Sequence, residues 1–484
     1  MEPIPSGPVA VSPERRVRLL VGQIFRLPSF EDGSIQAEPD EPREHRFEAQ
    51  YWDTPDLRLA RWGADLSHEK GGGWTLRLPL ASSPLQFPGL AREVPEAALR
   101  LLPALLRCAK PRSTVTLSTW RREMPLDGLE LYDDDIAVLR HGRVVTRFRE
   151  LEVAGPGDKV DAAVEELRAA GAVEVDPTST VRRALGAASQ APEVRPQPSS
   201  SNPTAGELLS AAMASSLRTL ILNDPMLRLG GDPEAVHDAR VATRRMRSHL
   251  QTFRPVLDAG LVEGTREELR WLAGELGAVR DLEVLGGRLR ESAAVLPADD
   301  RDQAEALLAT LDAEERAARD RMRAAIDTSR YLKLLDQLIG AAQQPPLLDE
   351  ATRPAAQVVP GLARKSWRRL RRAREALPEQ PEDASLHRIR ILAKRTRYTA
   401  EAGTSVAPKA ARYAKVAASL QTVLGELQDS VTAQHWLREH ASGRVAWVAG
   451  ELAGIERGRA EQVRLTWGET WRRLDSKELR GWMR

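Results

Sequence analysis

The chain has 484 residues, 42% of them apolar, with a formal net charge of +2. That apolar content supports two or three domains with packed cores and excludes an intrinsically disordered chain. A single cysteine, Cys108, excludes an internal disulfide and a cysteine-based zinc site and fits a reducing compartment.

In chain order, the first half reads as strands. Trp74-Thr75-Leu76-Arg77-Leu78 alternates and stops at Pro79. The run VVTRFRELEV, Val144 to Val153, places Phe148, Glu150 and Glu152 on one face of a second strand. Apolar residues at helical spacing predict a helix over Lys159–Ala170. Residues 1–189 are thus expected to be α+β, built on an antiparallel sheet. Residues 190–203, QAPEVRPQPSSSNP, hold four prolines and three serines and read as a linker. From 204 to 484 the strong helix formers alanine, leucine, arginine and glutamate dominate. Gly230-Gly231-Asp232-Pro233 should end one helix and start the next, with further breaks at Leu296-Pro297 and Gln344-Pro345-Pro346.

The charge is uneven along these segments. Residues 1–200 carry 26 basic and 30 acidic side chains, and residues 201–484 carry 45 and 39. Arg364–Arg397 alone holds 12 basic against 4 acidic. A local positive field of this kind attracts polyanions even in a nearly neutral chain. No apolar stretch follows a basic start, and no run approaches ~18 apolar residues, the length of a membrane span. The expected location is the cytoplasm, with no membrane partner.

The helical half contains itself twice. His237-Asp238-Ala239-Arg240-Val241-Ala242-Thr243-Arg244-Arg245-Met246-Arg247 is echoed by His387-Arg388-Ile389-Arg390-Ile391-Leu392-Ala393-Lys394-Arg395-Thr396-Arg397, 150 residues on. Leu276-Gly277-Ala278-Val279-Arg280-Asp281 is echoed by Leu424-Gly425-Glu426-Leu427-Gln428-Asp429, and Ser216-Leu217-Arg218 by Ser366-Trp367-Arg368. Three echoes in nearly one register predict two similar helical bundles related by a pseudo-twofold axis.

At about 100° per residue, His237, Arg240, Arg244 and Arg247 share one side of a helix. Ala239, Ala242, Met246, Leu250 and Phe253 fall opposite. The second copy sets His387, Arg390, Lys394 and Arg397 against Ile389, Leu392 and Thr396. A solvated charged face normally interleaves acids four residues away, and none stands between Val241 and Phe253. Arginine also suits bidentate phosphate contacts better than lysine. Each histidine either hydrogen-bonds within the domain or donates to phosphate, more strongly at low pH.

The H-x-x-R-V-x-x-R-R-x-R block, its second copy and the two Leu-Gly…Asp segments resemble the CHAD domain, over about residues 204–484. The resemblance implies two four-helix bundles meeting at a basic groove, with inorganic polyphosphate as ligand and polyphosphate granules as a location. His237, Arg240, Arg244, Arg245 and Arg247, and His387, Arg390, Lys394, Arg395 and Arg397, match the motif position by position. Arg218 and Arg368 join them from the preceding helices.

The first half resembles the CYTH family at two places: Tyr51-Trp52-Asp53-Thr54-Pro55-Asp56-Leu57-Arg58-Leu59 and Gly72-Gly73-Trp74-Thr75-Leu76-Arg77-Leu78-Pro79. That resemblance implies eight antiparallel strands closed around a triphosphate tunnel, with carboxylates holding magnesium or manganese. The family's E-x-E-x-K strand corresponds to Glu14-Arg15-Arg16-Val17-Arg18, so Arg16 stands where a metal-binding carboxylate belongs. The family's arginine-rich strand reads Leu66-Ser67-His68-Glu69-Lys70. Glu14, Glu150 and Glu152 remain as a remnant metal set, and Arg77 as a tunnel base. These departures predict a binding protein without catalytic residues or a cofactor. The alternative left open is a metal-dependent triphosphatase or polyphosphatase. A nucleic-acid binder is disfavoured, because only Tyr398 among the basic stripes offers a ring for base stacking. The sequence assigns no oligomeric state.

Overall fold

The computed structural model describes residues 15–28, 42–126, 128–174, 179–345 and 347–483. The chain divides into two compact units, Met1–Glu193 and Val194–Arg484.

The strands of the first unit are β1 (Arg15–Val21), β2 (Arg43–Asp53), β3 (Asp65–Glu69), β4 (Trp74–Arg77), β5 (Leu85–Phe87), β6 (Arg112–Leu126), β7 (Leu129–Arg140), β8 (Arg143–Gly155) and the two-residue β9 (Val173–Glu174). They form one antiparallel sheet in the order β5-β4-β3-β2-β6-β7-β8-β1-β9. Among the described residues no ladder joins β5 to β9, so the sheet is a curled half-barrel and not a closed one. The β7–β8 hairpin turns through His141 (φ 49) and Gly142 (φ 74). Two consecutive left-handed residues are what a tight turn needs to match the strand twist.

The helices of this unit are α1 (Arg58–Trp62), α2 (Glu96–Leu99), α3 (Pro103–Leu106), α4 (Gly157–Ala169), α5 (Thr180–Leu185) and α6 (Ala187–Gln190). On one face of the sheet Leu19, Leu131, Leu151 and Val153 pack against α4. That helix presents Val160, Ala163, Val164 and Leu167, spaced so that all lie on one side. On the opposite face α5 presses Val181 and Ala184 onto Val115, Leu117, Ile136 and Val138. The turn at Tyr51–Leu59 is built around Asp53. Its carboxylate accepts from the backbone N–H groups of Thr54 (2.6 Å), Leu59 (2.9 Å) and Ala60 (3.0 Å), the last two of which would otherwise be orphaned at the start of α1.

No helix or strand lies between Gln190 and Thr204. Glu193 is nonetheless anchored: it pairs with buried Arg107 and accepts from Trp62 Nε1 at 2.7 Å.

The second unit holds α7 (Ala205–Leu229), α8 (Pro233–Thr252), α9 (Ala259–Ala293), α10 (Ala298–Ile326), α11 (Ser329–Gln343), α12 (Ala355–Glu375), α13 (Asp383–Ala402), α14 (Lys409–His440), α15 (Ala446–Leu474) and α16 (Lys477–Arg480). A capping box fixes the start of α7: Thr204 Oγ1 accepts from the Glu207 N–H, and Glu207 accepts from the Thr204 N–H. Asp232 caps α8 and Pro233 opens it, after the left-handed Gly230 and Gly231. Consecutive helices α7 to α10 pack in succession, as do α12 to α15. The two runs meet where α8 packs on α13 and α9 on α14. Ala239, Ala242, Met246, Leu250 and Phe253 are buried, as are Ile389 and Thr396; Leu392 is half-buried. Among the described residues no helix is long and apolar enough to cross a membrane.

Candidate functional site

Packing α8 on α13 brings the two basic stripes together, and the stripes then separate into three sets. The innermost set is Arg240 and Arg244 from α8 with Arg390 and Lys394 from α13. Lys394 shows this most clearly. Its ammonium is pushed down from 10.5 to about 7, first by burial and then by Arg390, Arg244 and Arg240, with Asp429 opposing. Arg390 is lowered by burial and by Arg244 and Arg240, against the pull of Asp429. Two carboxylates border the set. Asp281 pairs with Arg240 at 2.8 Å, and Asp429 lies near Arg390. His237 stands at the edge, held below its ordinary range by burial and by Arg280.

Arg245 and Arg397 form a second set, turned toward Glu401. Arg397 Nε donates to Glu401 Oε1 at 2.6 Å and Arg245 pairs with Glu401 Oε2 at 3.4 Å. Arg397 also donates to Gln421 at 3.3 Å. Between them sits Tyr398, whose ring is flanked by Arg244, Arg245 and Arg397 and whose hydroxyl accepts from Arg244 Nε at 2.8 Å. The tyrosine is 1% exposed, so it spaces guanidinium groups and offers no face for stacking.

The third set gathers Arg247 and Arg395 with arginines of other helices. Arg247 is lowered by burial, Arg270, Arg266 and Arg395, and Arg395 by burial, Arg266 and Arg369. Arg395 also lines a cavity of about 350 Å³ together with Arg254, Lys365 and Arg369. A neighbouring cavity of about 650 Å³ shares Arg369 and Arg395 and adds Arg372 and Arg388. Like charges so placed cost stability unless an anion neutralises them. Lys365, Arg369 and Arg372 follow one face of α12 at i, i+4 and i+7, a spacing visible in the sequence. Arg266 and Arg270 on α9 share the i, i+4 spacing but stand among the acids Glu263, Glu267 and Glu268, and only the fold brings them to α8.

The remaining expected residues are less central. Arg218 lies half-buried on α7 and Arg368 exposed on α12. His387 is half-buried, and its Nδ1 is buried without a hydrogen-bond partner.

In the first unit, Arg18, Tyr51, Asp65, Arg77, Arg121, Asp134 and Thr180 line a cleft of about 330 Å³. Its charges answer one another. Arg77 pairs with Asp65 at 3.2 Å, and Arg121 takes Asp134 bidentately at 2.8 and 2.7 Å. Burial raises the Asp65 carboxyl and pushes the Tyr51 hydroxyl up to about 12. Glu152 accepts from Arg18 at 2.8 Å and Arg16 at 3.2 Å; burial works against the charge, but these arginines and Arg121 hold the carboxyl low. Glu150 is bound by Arg183 and accepts from Thr180 Oγ1 at 2.9 Å. Arg149 serves Asp133 instead. Glu14 lies outside the described residues. Among those described, no group of three or more histidine, cysteine or acidic side chains is arranged to hold a metal ion.

Residues 211–438 match the CHAD domain family, so the helical unit carries a CHAD domain. Two uncharacterized proteins, from two strains of Mycobacterium tuberculosis, are each 29% identical over 498 residues, 93% of this chain and 93% of theirs. Among solved structures, the chain is similar to the CHAD domain from the plant Ricinus communis, with 25% identity and a TM-score of 0.49, covering 58% of this chain and 96% of that one. It is also similar to PptA from Streptomyces chartreusis, with 23% identity and a TM-score of 0.47, covering 56% and 99%.

Proposed function

We propose that the helical unit binds linear polyphosphate, with α8 and α13 supplying the two sides of one basic groove. One observation carries the reading: Arg240, Arg244, Arg390 and Lys394, drawn from both copies of the repeat, meet at one buried place, where burial first and then the three arginines push Lys394 down to about 7. A helix interface does not gather four cations against two carboxylates, Asp281 and Asp429, for stability, because burial and mutual repulsion both oppose it. A dense polyanion supplies the missing charge. The third set, with Arg247, Arg395 and Arg369, extends the same charge outward and suits a chain longer than a few phosphates. On this reading the two runs of helices are halves of a pseudo-twofold bundle pair, and the chain belongs in the cytoplasm at polyphosphate granules.

Nucleic acid fits less well. Tyr398 is buried between arginines, and base stacking needs an open ring. The first unit is read as a degenerate CYTH-like tunnel domain. Arg16 and Arg18 occupy Glu152, and Arg183 occupies Glu150, so the carboxylates a metal would need are engaged by arginine.

The test is calorimetry of the full chain against long-chain polyphosphate, triphosphate and single-stranded DNA across a salt series. Polyphosphate should bind most tightly, with affinity falling steeply as salt rises, because several phosphates release counterions. An affinity indifferent to salt, or DNA bound as tightly as polyphosphate, would overturn the reading.

A further inference from the structure

The Leu-Gly…Asp echo is part of the repeat, yet none of its residues belongs to a basic stripe. On α9, Gly277 precedes Asp281 by four residues; on α14, Gly425 precedes Asp429 by four. Four residues is about one helical turn, so glycine and acid share a face. In both copies that face receives the first arginine of the motif. A Cβ added to Gly277 would sit 3.9 Å from Arg240 Nε, and one added to Gly425 would sit 3.3 Å from Arg390 Nη2. Arg240 pairs with Asp281 at 2.8 Å, and Asp429 acts on Arg390. The glycine leaves the space in which the guanidinium lies, and the acid lies one turn further along.

We propose that Asp281 is a positioning residue for the basic groove, seating Arg240 of the facing helix over the Gly277 shelf so that it is presented to phosphate in a fixed orientation, while Gly425 provides the equivalent shelf for Arg390. This rests on the polyphosphate reading above. It also makes a claim that electrostatics alone contradicts. Both acids lower the local positive potential, so if they were only charges, removing one would tighten polyanion binding. If Asp281 positions Arg240, removing it weakens binding although the groove becomes more positive, because the freed side chain must be ordered again on binding.

The experiment compares the full chain with Asp281→Ala, Asp281→Asn and Gly425→Ala, using calorimetry against long-chain polyphosphate and thermal melting without ligand. Asp281→Ala should bind about three- to tenfold more weakly, the effect of freeing one long side chain. Asp281→Asn keeps an acceptor for Arg240 and should stay within about twofold of the parent. Gly425→Ala should melt no lower than the parent, since alanine favours the helix, and yet bind more weakly, because its methyl displaces Arg390. Gly277→Ala, with more room, should lose less.

Asp281 is 63% exposed, so its replacement leaves the core intact and a binding change is not a folding change. Asp281→Ala binding as tightly as the parent or tighter would overturn the proposal, and so would Asp281→Asn binding as weakly as Asp281→Ala. A parent chain that fails to bind polyphosphate would instead refute the function proposed above, an outcome the wild-type measurement reports separately.

Discussion

Ligand binding should drive a proton onto Lys394. In the free protein this ammonium titrates at about 7, below its ordinary 10.5, because it is buried and lies beside Arg390, Arg244 and Arg240, with Asp429 opposing. A bound phosphate chain neutralises those arginines and sets its own negative charge beside the buried ammonium, which offsets the cost of burying the charge and raises the lysine well above 8. At pH 8 the free lysine is about nine-tenths neutral, so binding should take up about 0.9 proton per site. The dissociation constant should rise about 25-fold between pH 6.5 and 8.5, as the neutral fraction grows. The same shift acts on stability without ligand. The unfolded chain binds the extra proton between pH 7 and 10.5, so the melting temperature should rise with pH across that window. The assay is calorimetry at pH 8 in buffers of different ionisation enthalpy, where the slope of the observed heat counts the protons. A long chain keeps its own titrating terminal phosphates few. Lys394→Arg retains the charge and should flatten the pH dependence. Uptake below about 0.2 proton at pH 8, or an unchanged slope in Lys394→Arg, would refute the reasoning.

Replacing Arg240, Arg244 and Arg247 with alanine, or Arg390, Lys394 and Arg397, should weaken long-chain binding at least tenfold and triphosphate binding less, since a short ligand gains little from the second stripe; calorimetry with both ligands checks this. Removing Arg397 also takes from Glu401 the closer of its two arginines and leaves it only Arg245, so the second triple variant should melt lower than the first, read by calorimetric scanning. With magnesium or manganese, free triphosphate should not turn over at an enzymatic rate; phosphate release on the order of 1 per second or faster would overturn that expectation. Asp53→Ala should destabilise the first unit by about 2–4 kcal/mol, because three backbone donors, one in the turn and two in α1, lose their acceptor, while Asp53→Asn should cost less; chemical denaturation separates the two.

Much of the site was legible because it obeys one local period. The stripe on α8 and the buried face behind it follow from spacing alone, and Met246, Leu250 and Phe253 are buried where that spacing puts them. What spacing could not supply was the division of labour between the arginines. Arg245 and Arg397 meet on Glu401 only because α8 crosses α13. Arg266 and Arg270 reach Arg247 only through the packing of α9. The echo at Asp281 and Asp429 was visible as repetition, but its partners lie on facing helices and left no mark nearby. Tyr398, the one ring among the arginines, could not be removed as a stacking platform by spacing, because only its burial does that. In the first half the strand at Val144–Val153 was legible by alternation, whereas the seating of α5 on the sheet depends on residues far apart in the chain.

Glu193 bears on where the first unit can be cut away as a module. Composition alone would place the seam at 189, before the prolines begin. The contacts place it four residues later, because Arg61 donates to the carbonyls of Ala191 and Pro192, and Glu193 reaches back to Arg107 and Trp62. A fragment ending at 189 would strip buried Arg107 of its carboxylate, and breaking such a pair costs about 3–5 kcal/mol. The portable piece is therefore 1–193. Limited proteolysis should spare the stretch up to Glu193 and begin among the serines at 199–201, so that the first unit is released with its tail still fastened.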